Sequence, residues 1–182
     1  LDARGVARRT TTDAAGLPIA VQEGAGPETR FERDAFGRVV RVVTPDGATT
    51  TAAWSVEGMA LWDAGPDGSR STRSYDAEGR LVEHVDPLGG TTRFEYGPFG
   101  KITARTDPSG ARYEFAYDTE LNLVKVTNPA GAAWTYTYDD AGNLIAEQDF
   151  TGRTQTYTYD AIGQLAARTN GAGQVTEFRR SV

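Results

Sequence analysis

The sequence contains no cysteine and only one histidine, His84. Without cysteine neither a disulfide framework nor a thiolate zinc site can form, and one imidazole cannot anchor a usual zinc site. An excess of basic residues is also missing, because the formal net charge is -6. Proteins that bind phosphate backbones need a positively charged surface, so we expect no nucleic acid among the partners.

Long hydrophobic runs are missing as well. No apolar run approaches the roughly 18 residues of a membrane-spanning helix, so we expect no membrane span. The opening LDARGVARRT has neither the apolar core of a signal peptide nor an initiator methionine. We therefore expect the chain to be a segment of a longer protein. The periodicity of an amphipathic helix is absent throughout.

Glycine, in contrast, is abundant, with 21 of 182 residues. The stretch TYTYDDAGNLI at 135–145 returns as TYTYDAIGQLA at 156–166, and most glycines fall into two columns with the same spacing of 21 residues. Self-similarity at this period predicts a repeat architecture. The first column is unbroken and comprises Gly5, Gly26, Gly47, Gly68, Gly89, Gly110, Gly131, Gly152 and Gly173. The second is interrupted only by Leu121 and comprises Gly16, Gly37, Gly58, Gly79, Gly100, Gly142 and Gly163.

Each of these glycines closes a four-residue turn of the YDDAG or DPLG type. In such turns Asp or Asn accepts hydrogen bonds from the backbone, Pro presets φ, and Gly accepts a positive φ without steric cost. The segments between turns are about six residues long and alternate in character. In TTRFEY, for example, Thr92, Phe94 and Tyr96 point one way and the polar residues the other. This period of two, with aromatic residues on one side, predicts half-buried strands.

Two strands and two turns in each repeat predict a hairpin, and consecutive hairpins predict a meander. The predicted fold class is therefore all-β, an antiparallel β-hairpin meander of about eight 21-residue repeats that forms a curved or spiralling strip. We expect residues 1–182 to form a single array, with degenerate repeats over 1–70 and regular repeats over 71–182. Because Pro18, Ala52 and Ala53 replace strand residues, the N-terminal third is predicted to be looser.

The columns Y-D-x-x-G-[R/N/Q]-L and D-P-x-G resemble the RHS/YD-repeat family over nearly the whole chain. This resemblance implies a long β-strip wound into a hollow shell. Such shells occur in bacterial polymorphic toxins and insecticidal toxin complexes, where they enclose a toxic C-terminal polypeptide, and in the related teneurins at animal cell surfaces. The chain departs from the pattern at Gly97–Pro98 and at Leu121, where we expect local irregularity.

The resemblance implies a non-catalytic structural segment that is secreted or at the cell surface. Its implied partners are an enclosed polypeptide, such as a toxin domain, and neighbouring repeats of the same shell. A free sheet edge and one apolar face also predict self-association or capping of the ends. We expect no catalytic residue, no cofactor and no metal site. Neither the DxDxDG loop nor the GGxGxD nonapeptide of calcium sites occurs.

A self-cleaving protease segment is one alternative function. Shells of the family often end in a paired DPxG motif whose aspartates resemble an intramolecular aspartic protease, and Asp86 and Asp107 stand in such motifs. Two carboxylates that share a proton need a separation of about 3 Å. Equivalent positions of neighbouring repeats are nearer to about 10 Å apart, which favours a turn role for both residues.

A carbohydrate-binding repeat module is the other alternative. Choline- and glucan-binding solenoids also use Tyr- and Gly-rich units of about this length, with paired Trp and Tyr residues in each unit. In this chain only Trp134 is accompanied by tyrosines in this way. Cross-strand packing explains a recurring aromatic column without any ligand. His84 is expected to be a strand residue that faces the solvent or a lumen.

Overall fold

The computed structural model describes residues 7–178, which contain 17 β-strands. The chain divides into two compact units, Leu1–Thr91 and Thr92–Val182. Within the described part no α-helix occurs, and the single helical turn, Pro98–Gly100, is far too short to cross a membrane. The prediction of an all-β protein is confirmed.

The first unit is an antiparallel meander in which each strand pairs with the next. Its strands are β1 (Arg8–Thr12), β2 (Pro18–Glu23), β3 (Glu28–Arg33), β4 (Val39–Val43), β5 (Thr49–Trp54), β6 (Ala60–Ala64), β7 (Arg70–Tyr75) and β8 (Leu81–Val85). Pro18 begins β2, and Ala52 and Ala53 lie within β5, so strands persist in the degenerate repeats. Looser packing of these repeats, and the boundary at residue 70, stay predictions.

The second unit is built in the same way. Its strands are β9 (Thr91–Tyr96), β10 (Ile102–Thr106), β11 (Arg112–Tyr117), β12 (Leu123–Thr127), β13 (Ala133–Tyr138), β14 (Leu144–Gln148), β15 (Thr154–Tyr159), β16 (Leu165–Asn170) and β17 (Val175–Glu177). The predicted meander of short antiparallel strands is thus present in both units.

The turn between β7 and β8 shows how sequence produces this geometry. The backbone N–H of Asp76 donates to the carbonyl of Arg80 and the N–H of Gly79 donates to that of Asp76, both at 3.0 Å. Asp76 Oδ1 accepts the N–H groups of Glu78 at 3.1 Å and Arg80 at 2.9 Å. Gly79 has a φ of +79°. These features describe a type I turn that closes with a glycine bulge, a common three-residue hairpin loop.

Three positions depart from the regular turns. Phe99, with a φ of 59°, and Leu121, with a φ of 66°, are the only residues other than glycine with positive φ in residues 7–178. The irregularity predicted at Gly97–Pro98 is confirmed, since a short helical turn, Pro98–Gly100, replaces the regular loop there. At Leu121 only the residue type is irregular, because its N–H still donates to the carbonyl of Asp118 at 3.2 Å as in the regular turns. Gly26 closes its turn as predicted, donating to the carbonyl of Glu23 at 3.4 Å, but Gly24 takes the positive φ in that turn instead. Gly5 lies outside the described residues.

A β-bulge recurs in every hairpin that a YD-type turn closes, and it was not predicted. The register skips one residue of the second strand, so two residues oppose one and the strand bends locally. The skipped residues are Ile19, Val40, Leu61, Val82, Thr103, Val124, Ile145 and Ala166.

Neither unit buries a large side chain fully within the described residues. The buried residues there are Ala20, Ser71 and Ala104, of which Ala104 on β10 is only 1 % exposed. Above Ala104, Arg112 of β11 bridges to Glu95 of β9, with Nη2 and Oε2 3.0 Å apart. Half-buried side chains, together with cross-strand pairs, therefore take the place of a fully buried core.

Candidate functional site: the aromatic face

The aromatic face is the side of each sheet that carries the tyrosine column. Its side chains are half-buried in the second unit, whereas most of their strand neighbours are exposed, which confirms the predicted alternation. On β11, β13 and β15 it comprises Tyr113, Phe115, Tyr117, Trp134, Tyr136, Tyr138, Gln155, Tyr157 and Tyr159.

The column tyrosines tie neighbouring hairpins together. The hydroxyl of Tyr138 donates to the carbonyl oxygen of Leu123 at 3.0 Å, 15 residues earlier in the chain. Leu123 immediately precedes the bulged Val124. Three other tyrosines make the same bond at 2.8 to 2.9 Å, namely Tyr75 to Ala60, Tyr117 to Ile102 and Tyr159 to Leu144. Burial raises the pKa of Tyr138, so the hydroxyl remains a donor over the physiological pH range.

The degenerate repeats keep this bond with different donors. The indole Nε1 of Trp54 donates to the carbonyl of Val39 at 2.9 Å. The guanidinium of Arg33 donates to the carbonyl of Pro18 through Nε at 3.2 Å and Nη2 at 3.1 Å. A long side chain with a terminal donor, 15 residues after a strand-opening residue, is the signal that sequence reasoning missed.

In the first unit the aromatic face is polar at its centre. Arg73 donates to Asp63 Oδ1 at 2.6 Å, while Ser71 lies opposite Asp63 and His84 opposite Arg73. The predicted apolar face is therefore interrupted by charged side chains on β6 and β7. A thin sheet leaves its side chains partly hydrated, so a paired charge costs little there. In the described chain no hydrogen bond joins Ser71 to His84, and His84 is a half-buried strand residue.

In the second unit a carboxylate sits among the aromatic rings. Glu147 Oε1 accepts the hydroxyl of Tyr157 at 2.6 Å and Nε2 of Gln155 at 3.1 Å, and Oε2 accepts Nε1 of Trp134 at 3.1 Å. Burial, and after it the hydrogen bond to Glu147, raises the pKa of Tyr157. Burial and the negative charge of Glu147 likewise raise the pKa of Tyr136.

A cavity of about 710 Å³ opens beside this carboxylate. Trp134 forms its aromatic wall and is backed by Tyr136, stacked at 6.2 Å between ring centroids, and by Phe150, edge-on at 5.5 Å. The lining residues are Trp134, Glu147, Asp149, Gly152, Arg153, Thr154, Gln155, Asn170, Gly171 and Ala172.

The two aspartates of the protease alternative, Asp86 and Asp107, both accept hydrogen bonds from residues of their own β-turns. Asp86 Oδ1 accepts the N–H of Leu88 at 2.9 Å and of Gly90 at 2.8 Å. Asp107 Oδ1 accepts the hydroxyl of Ser109 at 2.6 Å, and this bond is the largest cause of the lowered pKa of Asp107. Each aspartate therefore accepts hydrogen bonds within its own turn, in agreement with a turn role. Over residues 7–178 no group of acidic or histidine side chains has the geometry to hold a metal ion.

Comparison with known families gives a decisive match. The RHS Repeat family matches residues 13–49, 65–91, 75–112 and 117–154, more than half of the chain. The chain belongs to the RHS-repeat family. Its RHS repeats are therefore confirmed on the turn and strand residues from which they were predicted. No protein of curated function matches the chain in sequence.

Solved structures share the fold of these RHS repeats. One is a Tc holotoxin pore of Photorhabdus luminescens with a TccC3 mutation, at 16% identity and a TM-score of 0.54, over 95% of this chain and 12% of the other. Another is TcdB2-TccC3-TEV, at 16% identity and a TM-score of 0.53, over 92% of this chain and 11% of the other. The chain thus spans about an eighth of the length of the structures it matches.

Proposed function

We propose that this RHS-repeat chain is a non-catalytic wall segment of a hollow β-shell, which encloses or scaffolds a polypeptide, specifically a C-terminal toxin. The observation that carries the proposal is the recurring tie from a column residue to the carbonyl before six of the eight bulges. The tie joins neighbouring hairpins even where tyrosine is replaced by Trp54 or Arg33. A contact that recurs along the array is typical of an extended structural surface, whereas a catalytic site needs a unique arrangement of residues.

The character of the aromatic face also supports enclosure. Its tyrosines remain half-exposed, with phenol rings beside polar groups. Such an amphipathic wall makes weak contacts with both apolar and polar segments, so it suits a polypeptide held without a fixed fold. The resemblance in fold to a Tc holotoxin pore is compatible with this role.

We propose a non-catalytic role because the candidate catalytic aspartates are already engaged in structural hydrogen bonds. Asp86 and Asp107 accept hydrogen bonds within their turns. Asp63 accepts a hydrogen bond from Arg73, which lies opposite His84. A general base or nucleophile would need a free partner within hydrogen-bond reach. The proposal includes secretion or display at the cell surface, and contact with neighbouring repeats of the same shell.

Limited proteolysis of the full-length protein tests enclosure. We expect the repeat region to remain intact with a second polypeptide protected inside it. An empty repeat region beside a freely digested C-terminal polypeptide would refute enclosure. Asp86→Asn and Asp107→Asn variants test the protease alternative, since unchanged processing removes it and abolished processing would replace our proposal.

A further inference from the structure

The carboxylate of Glu147 has spare capacity for a ligand. Its two oxygens offer about four acceptor sites, and Trp134, Gln155 and Tyr157 occupy three of them. The remaining site is on Oε2, and Glu147 lines the cavity. All three neighbours are donors, so they fix the orientation of the carboxylate.

No cation of residues 7–178 lies within ion-pair distance of Glu147. Arg153, which also lines the cavity, is engaged elsewhere: its Nε donates to Thr151 at 3.0 Å and lies 3.8 Å from Asp149 Oδ2. Arg168 lies opposite Tyr157 on the neighbouring strand and is near enough for its charge to act on the Tyr157 hydroxyl, but it forms no ion pair with Glu147. Asp149 is therefore paired with Arg153, whereas Glu147 has no direct ion-pair partner among residues 7–178.

The fold does not require this cluster. At the position of Trp134 the other repeats carry Arg8, Thr29, Thr50, Ser71, Thr92, Tyr113, Gln155 and Thr176. At the position of Glu147 they carry Val21, Val42, Asp63, His84, Arg105, Val126 and Arg168. The same strands form with all of these residues. An indole beside a carboxylate occurs in one repeat only, which separates this cluster from the structural columns.

The chemistry of the cluster selects a positively charged ligand. A cation within about 6 Å of an indole ring is attracted by its π-system, and a fixed carboxylate adds a charge-assisted hydrogen bond. Two amides beside the ring, which could otherwise hydrogen-bond the hydroxyls of a sugar, are already engaged. Here Gln155 Nε2 already donates to Glu147 and to the hydroxyl of Tyr157, and Asn170 is bonded to Gln174 and Ala172.

We propose that the cavity beside Trp134 and Glu147 binds a lysine or arginine side chain of a polypeptide. The inference deepens the proposed function, on which it rests for the identity of the partner: the cationic side chain belongs to the enclosed polypeptide. Glu147 binds the ammonium or guanidinium group, and the ring of Trp134 contacts its face or its alkyl stem. The site would thereby anchor one point of an otherwise loosely held chain.

Fluorescence anisotropy with a labelled Gly/Ser peptide that contains two arginines tests the site, at near-physiological salt to suppress non-specific attraction. Glu147→Gln keeps the shape and the acceptor oxygen for one neighbour but removes the charge. We expect Glu147→Gln to weaken peptide binding about five- to tenfold, because one partly exposed charge-assisted contact contributes about that factor to the affinity. Trp134→Leu, which removes the ring, should have a comparable effect.

Glu114→Gln is the matched control, because it removes the same charge from the opposite, exposed face of β11. Its binding should stay within about twofold of the unaltered chain. Equal affinities of the Glu147 and Glu114 variants, with circular dichroism showing both folded, would overturn the site. Equal binding of a peptide with glutamates in place of the arginines, or displacement by oligosaccharides, would overturn it as well.

The outcome is separable from that of the proposed function. If proteolysis of the full-length protein shows a protected cargo while Glu147→Gln binds the arginine peptide normally, only the cationic site is wrong. If the cargo is digested freely while the peptide binds in a Glu147-dependent manner, enclosure is wrong and the site stands as a peptide-binding site.

Discussion

The tie from Tyr138 to Leu123 can be removed without changing any ring contact. Tyr138→Phe deletes only the hydroxyl, which donates to the carbonyl of Leu123 at 3.0 Å. A half-buried hydrogen bond of this kind contributes about 1 kcal/mol to the free energy of unfolding. With a urea slope of about 2 kcal/mol/M, the midpoint of unfolding falls by about 0.5 M. The amides of β12 and β13 should open about fivefold more often, because 1 kcal/mol corresponds to that factor.

Tyr113→Phe is the control for this experiment. Tyr113 lies on the same face of β11, but its hydroxyl makes no hydrogen bond to any of residues 7–178. A change of less than about 0.5 kcal/mol is expected there. Since repeat arrays can open locally, amide hydrogen exchange measured residue by residue is the primary assay and urea unfolding the second. If the Tyr138 and Tyr113 variants exchange alike, the tie does not stabilise the array and the reasoning is refuted.

Three further predictions concern the turns. Gly142 has a φ of +81° and open space at its Cβ position, so Gly142→Ala should cost about 1–2 kcal/mol in thermal unfolding and Gly142→Asn clearly less; equal stabilities would contradict a backbone cause. Leu121→Gly should raise the free energy of unfolding by up to about 1 kcal/mol, because Leu121 has a φ of 66°; a loss would show that its side-chain packing dominates. The side-chain hydrogen bond from Asn143 is the main cause that lowers the pKa of Asp139 below 3.8. Its contribution to stability is therefore present above pH 3.8 and is lost as pH falls through the lowered pKa, and an acid titration of Asp139→Asn should show a shallower loss.

Much of the local structure could be read from residue types alone. Asp76 and Gly79 specify their turn because a short acceptor and a residue that tolerates positive φ are needed at those positions. The alternation of Tyr113, Phe115 and Tyr117 specifies a half-buried strand because strand side chains alternate between faces. Both inferences depend on neighbours within about six residues, and both are confirmed.

The cluster around Glu147 could not be read in this way. Its members come from three strands, and Tyr157 and Glu147 were assigned to no common site from sequence. They meet because β14 pairs with β15 in a register that places Gln155 opposite Glu147. The polar centre formed by Asp63 and Arg73 was missed for the same reason, since an average pattern of aromatic and polar residues hides single exceptions.

By itself the sequence determined the period, the turns, the strands and the family, since all of these follow from backbone preferences repeated every 21 residues. Only the tertiary structure decided that the hydroxyl of Tyr138, the indole of Trp54 and the guanidinium of Arg33 reach equivalent carbonyls, because a carbonyl oxygen accepts from any of these chemically different donors. It likewise decided the bulges, which arise when two strands must reconcile a glycine-closed turn with their ladder of hydrogen bonds. The position of a bulge depends on the register between two paired strands, so it cannot be read from the sequence of either strand alone.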